Sequence, residues 1–225
     1  MNYDYIVKDS LVLSFFVQII TLMIGLVIVF LTNVTPSNLL LREALILENL
    51  VQIIEGSFYI WFIYFYTKNV DKEDIAHYRY YDWFFSTPIM IISTVAYFHY
   101  NNTRLSGSSL FSFFKTDIKK ISELLFYNFN MLFIGYLQEL KLISLAISTL
   151  VGFFFFGLLF LKMFIYYVKN NSTNYLIFYL MLFIWALYGI AALYKNKIKN
   201  ASYNILDIFS KNFFGLFLAY LVYNV

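Results

Sequence analysis

Along this chain, apolar residues run in long, nearly unbroken stretches, and polar residues collect in short gaps between them. The pattern predicts seven helices, over roughly 10–32, 38–66, 76–99, 119–140, 143–168, 173–194 and 202–223. Each reaches the ~20 mainly apolar residues that a helix needs to cross a bilayer. Strands do not fit, because the runs are continuous rather than alternating and about twice the length of a barrel strand. The gaps carry turn and charge signals: Pro36 within "TPSN", the charged "TKNVDKEDIAH", Lys141, "KNNSTN" and "KNKIKNAS". The longest expected connection is 100–118, containing "NNTRLSGSSLFSFFKTDI". The chain therefore reads as one all-α membrane domain, a seven-transmembrane-helix bundle over 1–225.

Composition agrees. Hydrophobic residues make up 61% and charged residues 13% of the chain, against about 25% charged in a soluble domain. The net charge of +3 leaves no footprint for nucleic acid. With no cysteine there is no disulfide framework, thiolate metal site or thiol nucleophile, and no metal is expected. The opening "MNYDYIVKDS" has two acids and no small-residue cleavage site, unlike a cleaved signal peptide. Loop charge alone leaves orientation open, since Arg104, Lys115, Lys119 and Lys120 are matched by Lys195, Lys197 and Lys199 at the other end.

Polar residues within the spans then carry the weight, because ionisable side chains in a bilayer are costly. Glu48, Gln52, Glu55 and Tyr59 share one face of the second span at spacings of 4, 3 and 4. The same spacing joins Asn200, Asn204, Asp207 and Lys211 in the seventh, and Ser14, Gln18, Thr21 and Gly25 in the first. The third carries Arg79, Asp82, Ser86 and Ser93. Spans four to six show no such stripe, and their acids, Glu123 and Glu139, lie near the ends. Hydroxyls and amides of this kind also serve as plain helix–helix glue. The charges are harder to explain that way: Arg79, Asp82, Asp207 and Lys211 sum to zero, as a buried cluster should. His77 and His99, at span ends among tyrosines, read as interfacial anchors.

These residues resemble the microbial (type 1) rhodopsins over nearly the whole chain. "RYYDWFFSTP", Arg79 to Pro88, is similar to the third-helix signature of that family, and "LDIFSKNFFG", Leu206 to Gly215, to the seventh. "MLFIGYLQE" at Met131–Glu139, "AIST" at Ala146–Thr149 and "WALYG" at Trp185–Gly189 are similar to pocket segments of the fourth, fifth and sixth. The resemblance implies a photoreceptor rather than an enzyme, with all-trans retinal as cofactor on Lys211 as a Schiff base. It implies Asp82 and Asp207 as counter-ions, Arg79 just outside them, and Tyr188 and Tyr59 bonded to Asp207. Trp83, Met90 and Trp185 would sandwich the polyene beside Ser86 and Thr87, and Met131, Gly135, Ser148, Thr149 and Gly152 would surround the ring. The family places the N-terminus outside and the C-terminus in the cytoplasm. Two positions depart: Gly189 stands where a proline is usual, and Leu145 where a pocket tryptophan is usual.

Within that family the sequence leans toward a channel. A proton pump usually has a carboxylate eleven residues after the third-helix counter-ion, where this chain has Ser93. Sodium and chloride pumps replace the aspartate that is here Asp82. A sensor would need a separate partner, because the chain stops two residues after the last predicted span. Glu48 and Glu55 lie two turns apart, about 10 Å along one face, and carboxylate constrictions select cations. "ENLVQIIEGSFYIWF" is similar to the light-gated cation channels among rhodopsins of giant algal viruses. The expected path for monovalent cations or protons runs past Ser14, Glu48, Glu55 and Asn204, with an outward proton pump as the alternative. Membrane lipid is the expected surrounding, and homo-oligomerisation stays open.

Overall fold

The computed structural model describes residues 3–67, 75–103 and 107–225; the charged connection at 68–74 and Arg104 lie outside them. Among the described residues the chain forms seven long helical rods and no strand. They are α1 (Tyr3–Leu31), α2 (Leu39–Thr67), α3 (Ile75–Thr103), α4 (Leu110–Glu139), α5 (Leu145–Met163) and α6 (Tyr175–Ala191). The seventh rod consists of α7 (Asn196–Asp207), a π-turn (Ile208–Asn212) and α8 (Phe213–Asn224). Consecutive rods pack side by side and the seventh closes the ring against α1 and α2. Five rods are apolar enough to cross a bilayer on composition, and α3 and α4 are not among them. In α3 the cause is a set of polar groups turned inward, including Arg79, Asp82, Ser86, Ser93 and Thr94. In α4 it is the charged opening turns together with Asn128, Asn130, Gln138 and Glu139 farther along the helix.

Those turns correct the sequence reading. The connection expected over 100–118 is mostly helix, because Ser109 caps α4 by accepting a hydrogen bond from the Ser112 N–H at 3.2 Å. Glu43 of α2 also accepts from the Leu110 N–H. Phe113 is buried against His99, ring to ring at 4.6 Å. The backbone breaks from helical geometry at Asp117 (φ −105°, ψ 15°), so a short amphipathic segment precedes the span. Serine, threonine and lysine dilute its apolar period, which hid it from the pattern.

The outer surface is apolar: Phe16, Phe30, Phe85, Phe126, Phe154, Phe183 and Phe213 are each more than half exposed. A soluble monomer does not display such a band; a lipid-embedded one does. The interior divides in two. Between α3, α4, α5 and α6 it is filled by Leu, Met, Phe and Trp. Facing α1, α2 and the seventh rod it buries Ser14, Gln18, Thr21, Glu48, Asn49, Gln52, Glu55, Asn204, Asp207 and Lys211.

At the end of the bundle opposite the N-terminus, asparagines tie α3 to the α5–α6 connection. Asn174 is wholly buried, and its Nδ2 donates to the carbonyls of Phe98 (3.2 Å) and Tyr167 (3.1 Å) and to Asn102 Oδ1 (3.1 Å). Its Oδ1 accepts from Asn101 at 2.8 Å. Asn174→Ala should therefore lower stability by about 1–3 kcal/mol, the cost of leaving buried partners unpaired. Thermal unfolding in detergent, followed by circular dichroism, reads this directly; an unchanged midpoint would show that the remaining asparagines suffice.

Candidate functional site

Lys211 lies in the π-turn of the seventh rod, 2% exposed. Such turns insert one extra residue into a helix and recur at functional sites. Here the widened turn leaves Lys211 Nζ 3.6 Å from Asp207 Oδ1 on its own helix. Two other rods complete the surroundings: Asp82 Oδ2 from α3 at 2.8 Å and Glu55 Oε1 from α2 at 3.0 Å. The ammonium thus faces three carboxylates.

Asp207 is fixed from both sides by hydroxyls, with Tyr59 donating to Oδ2 and Tyr188 to Oδ1, each at 2.7 Å. Arg79 Nη1 stands 3.7 Å from Asp207 Oδ2. Its Nε donates to Asn200 Oδ1 at 3.0 Å and its Nη2 to Asn204 Oδ1, while its guanidinium lies over the Phe62 ring at 5.1 Å. Asn204 donates onward to Ser10 Oγ of α1 at 2.9 Å. On the N-terminal side of Lys211 the polar groups are therefore interlocked.

Sequence reading made Arg79, Asp82, Asp207 and Lys211 a self-neutral set and gave Glu55 to a pore. The structure brings Glu55 into the same cluster. With all five groups ionised the net charge is −1, so neutrality asks for one further proton or cation beside Lys211.

On the opposite side of the Lys211 nitrogen, the polar groups are not interlocked. Glu48 accepts from Ser93 of α3, and one of its oxygens, Oε2, has no protein partner. The same holds for Gln18 Oε1, Thr21 Oγ1, Asn49 Nδ2, both amide atoms of Gln52, and Asn212 Oδ1. These atoms belong to α1, α2 and the seventh rod. Ser14, expected on the ion path, is fully buried and accepts from Gln18 Nε2 at 3.3 Å.

Toward α4, α5 and α6, Lys211 ends a largely apolar cavity. Its wall includes the expected Trp83, Thr87, Met90, Met131, Gly135, Ser148, Thr149, Gly152, Trp185 and Tyr188. Ser86 is buried but is not part of the wall. Tyr80, Leu132, Phe156, Tyr203 and Ser210 line it without having been foreseen. The spacing that singled out the charged faces would have found three of them, in Tyr80–Trp83–Thr87 and Tyr203–Asp207–Ser210. Gly135 is required where it stands, since a Cβ there would come within 2.4 Å of the Tyr80 hydroxyl. Two ion pairs also join elements that the sequence left apart. Lys199 of α7 meets Glu139 of α4 at 2.6 Å, and Lys162 of α5 meets Glu123 of α4 at 2.8 Å.

The family profile described as bacteriorhodopsin-like protein matches residues 9–225. No curated protein matches the chain. Among solved structures, the viral rhodopsin OLPVRII is similar at 29% identity and a TM-score of 0.85, with 96% of each chain covered. A blue light-absorbing proteorhodopsin from Med12 is similar at 18% identity and TM-score 0.76, covering 97% of each chain. Xanthorhodopsin, a light-driven ion pump with dual chromophore, is similar at 14% identity and TM-score 0.75, over 99% of this chain and 94% of that one. With a profile match over nearly its full length, a buried lysine among carboxylates and seven rods in ring order, the chain belongs to the bacteriorhodopsin-like family of multi-pass membrane rhodopsins.

Proposed function

We propose that this rhodopsin is a light-gated cation channel carrying all-trans retinal on Lys211. The residues present fit the cofactor. The cavity that ends at Lys211 Nζ is apolar, is bounded by the indoles of Trp83 and Trp185, and has small residues at Gly135, Ser148 and Gly152 toward its far end. Bound there, retinal supplies a light-driven change of shape about a double bond.

The observation that carries the channel reading is the run of buried polar atoms without protein partners between α1, α2, α3 and the seventh rod. Each such atom costs about 1–3 kcal/mol unless it is hydrated, so this half of the bundle is built to hold water. It leads to a cluster with a surplus carboxylate, which favours cations over anions. With the N-terminus outside, Glu48 lies on the cytoplasmic side of Lys211, and the Arg79–Asn200–Asn204 interlock closes the extracellular side in the dark. Asp82 Oδ2, 2.8 Å from Nζ, is placed to accept the proton of that nitrogen. Once Asp82 is neutral, the charges that hold Arg79 and Asp207 together are unbalanced and the interlock loosens.

An outward proton pump is the second reading, and one contact favours it. The bond between Ser93 and Glu48 brings a carboxylate from α2 to the place where α3 of a pump carries its own. Photocurrent against voltage separates the two: a channel current reverses with the driving force, and a current that keeps one sign at every voltage would establish the pump.

Lys211→Ala should abolish the visible band of the retinal-supplied protein, and an unchanged band resistant to loss of this amine would refute the attachment site. Glu48→Gln should reduce photocurrent severalfold with little change in colour, because Glu48 touches Ser93 rather than Lys211. Glu55→Gln should reduce photocurrent and also shift the absorption band. It removes a charge 3.0 Å from Nζ, a Coulomb interaction of about 5 kcal/mol at an effective dielectric of ~20 before desolvation is counted. Absorption spectra of the two variants, side by side, check this contrast.

A further inference from the structure

The rods α5 and α6 are joined unevenly. Toward the C-terminal end of α5 their aromatic rings interlock: Phe160 meets Phe178 and Trp185, each at 5.9 Å, and Phe164 meets Phe178 at 5.3 Å. Toward the N-terminal end of α5 the seam contains glycine. A Cβ added to Gly152 would find no atom within 4 Å, so this stretch of the helix borders open space. A Cβ added to Gly189 of α6 would lie 2.6 Å from Phe153 Cζ, so the Phe153 ring occupies the room that any larger residue would need.

Phe153 also lines the cavity and is 37% exposed, on a stretch of α5 whose Leu150 and Phe154 are turned outward at 74% and 60% exposure. Leu145 has the same double position, at 41% exposure. A side chain that is both cavity wall and outer surface marks a place where the wall is one residue thick. Retinal is a long apolar aldehyde that partitions into the bilayer core, whereas the approaches to Lys211 from the ends of the bundle are lined by buried charged and amide side chains, Glu48, Asn49 and Gln52 on one side and Arg79, Asn200 and Asn204 on the other.

We propose that retinal reaches Lys211 sideways from the bilayer core, through a window between α5 and α6 whose lid is the Phe153 ring seated on Gly189. The inference rests on the reading of the cavity as the retinal site. Rotation of one phenyl ring off a glycine opens the window without separating the helices, since the Phe160–Phe178–Trp185 contacts hold them together at the other end. Gly189 thereby acquires a reason of its own: proline or any side chain at that position would unseat the lid.

Loading kinetics test this. The full-length apoprotein in lipid nanodiscs is mixed with all-trans retinal, and the growth of the visible band is followed, each variant normalised to its own endpoint. Phe153→Ala, which removes the lid, should load about tenfold faster, equivalent to about 1.4 kcal/mol on the barrier. Phe153→Leu should fall between it and the parent. Gly189→Ala, whose Cβ would come 2.6 Å from Phe153 Cζ and push the ring off its seat, should also load faster than the parent. If Phe153→Ala does not fold, Phe153→Leu and Gly189→Ala still decide the matter. Rates within twofold of the parent for both would overturn the window. A parent protein that never develops a band would instead overturn the retinal reading itself.

Discussion

An ammonium group buried to 2% exposure in a lipid-embedded bundle is the constraint on which the rest of this structure depends. Desolvation disfavours the charged form of such a group, and only close counter-charge keeps it. Each of the three carboxylates comes from a different rod, so satisfying Lys211 fixes the relative depth of α2, α3 and the seventh rod at once. The tyrosines that position Asp207 extend the same requirement to α6 through Tyr188 and to a second site on α2 through Tyr59. One cation thus organises four of the seven rods.

The division of the interior follows. Apart from Tyr188, groups that serve the charge lie on α1, α2, α3 and the seventh rod, which frees α4, α5 and most of α6 to build an apolar wall from Leu, Met, Phe and Trp. Lys211 sits on the boundary. That placement allows one nitrogen to bear a hydrophobic cofactor on one side and to face three carboxylates on the other. The neighbouring rhodopsin structures share the ring of rods at 14–29% identity; that likeness is one of fold, so activity must be read from the polar half of the interior.

Much of this was legible in the sequence. The seven apolar runs placed the rods, and the spacings of 4, 3 and 4 identified the faces of α2 and the seventh rod that turn inward. Periodicity within one helix, however, contains no information about depth relative to another helix. For that reason Glu55 could be assigned to an inward face but not to the immediate neighbourhood of Lys211. The Glu139–Lys199 pair and the contacts of Asn174 to α3 were hidden by the same limit, since those partners lie 60 or more residues apart. Segment 110–118 was misread for a different reason: a helix lying outside the bilayer shows a mixed surface rather than an apolar run. Gly189 was recognised as an anomaly, but only the position of the Phe153 ring shows what occupies the space.

The π-turn at Ile208–Asn212 has a consequence for how this chain can vary. An α-helix advances about 100° per residue, so losing the extra residue would rotate everything on one side of the turn by that amount relative to the other. Either Asn200, Asn204 and Asp207 would leave the face that meets Arg79 and Tyr59, or Asn212 and Gly215 would leave the face that meets α1 and α2. No single deletion in this stretch preserves both registers. The two halves of the seventh rod are geared to different neighbours, and the surplus residue is the tooth that keeps them in mesh.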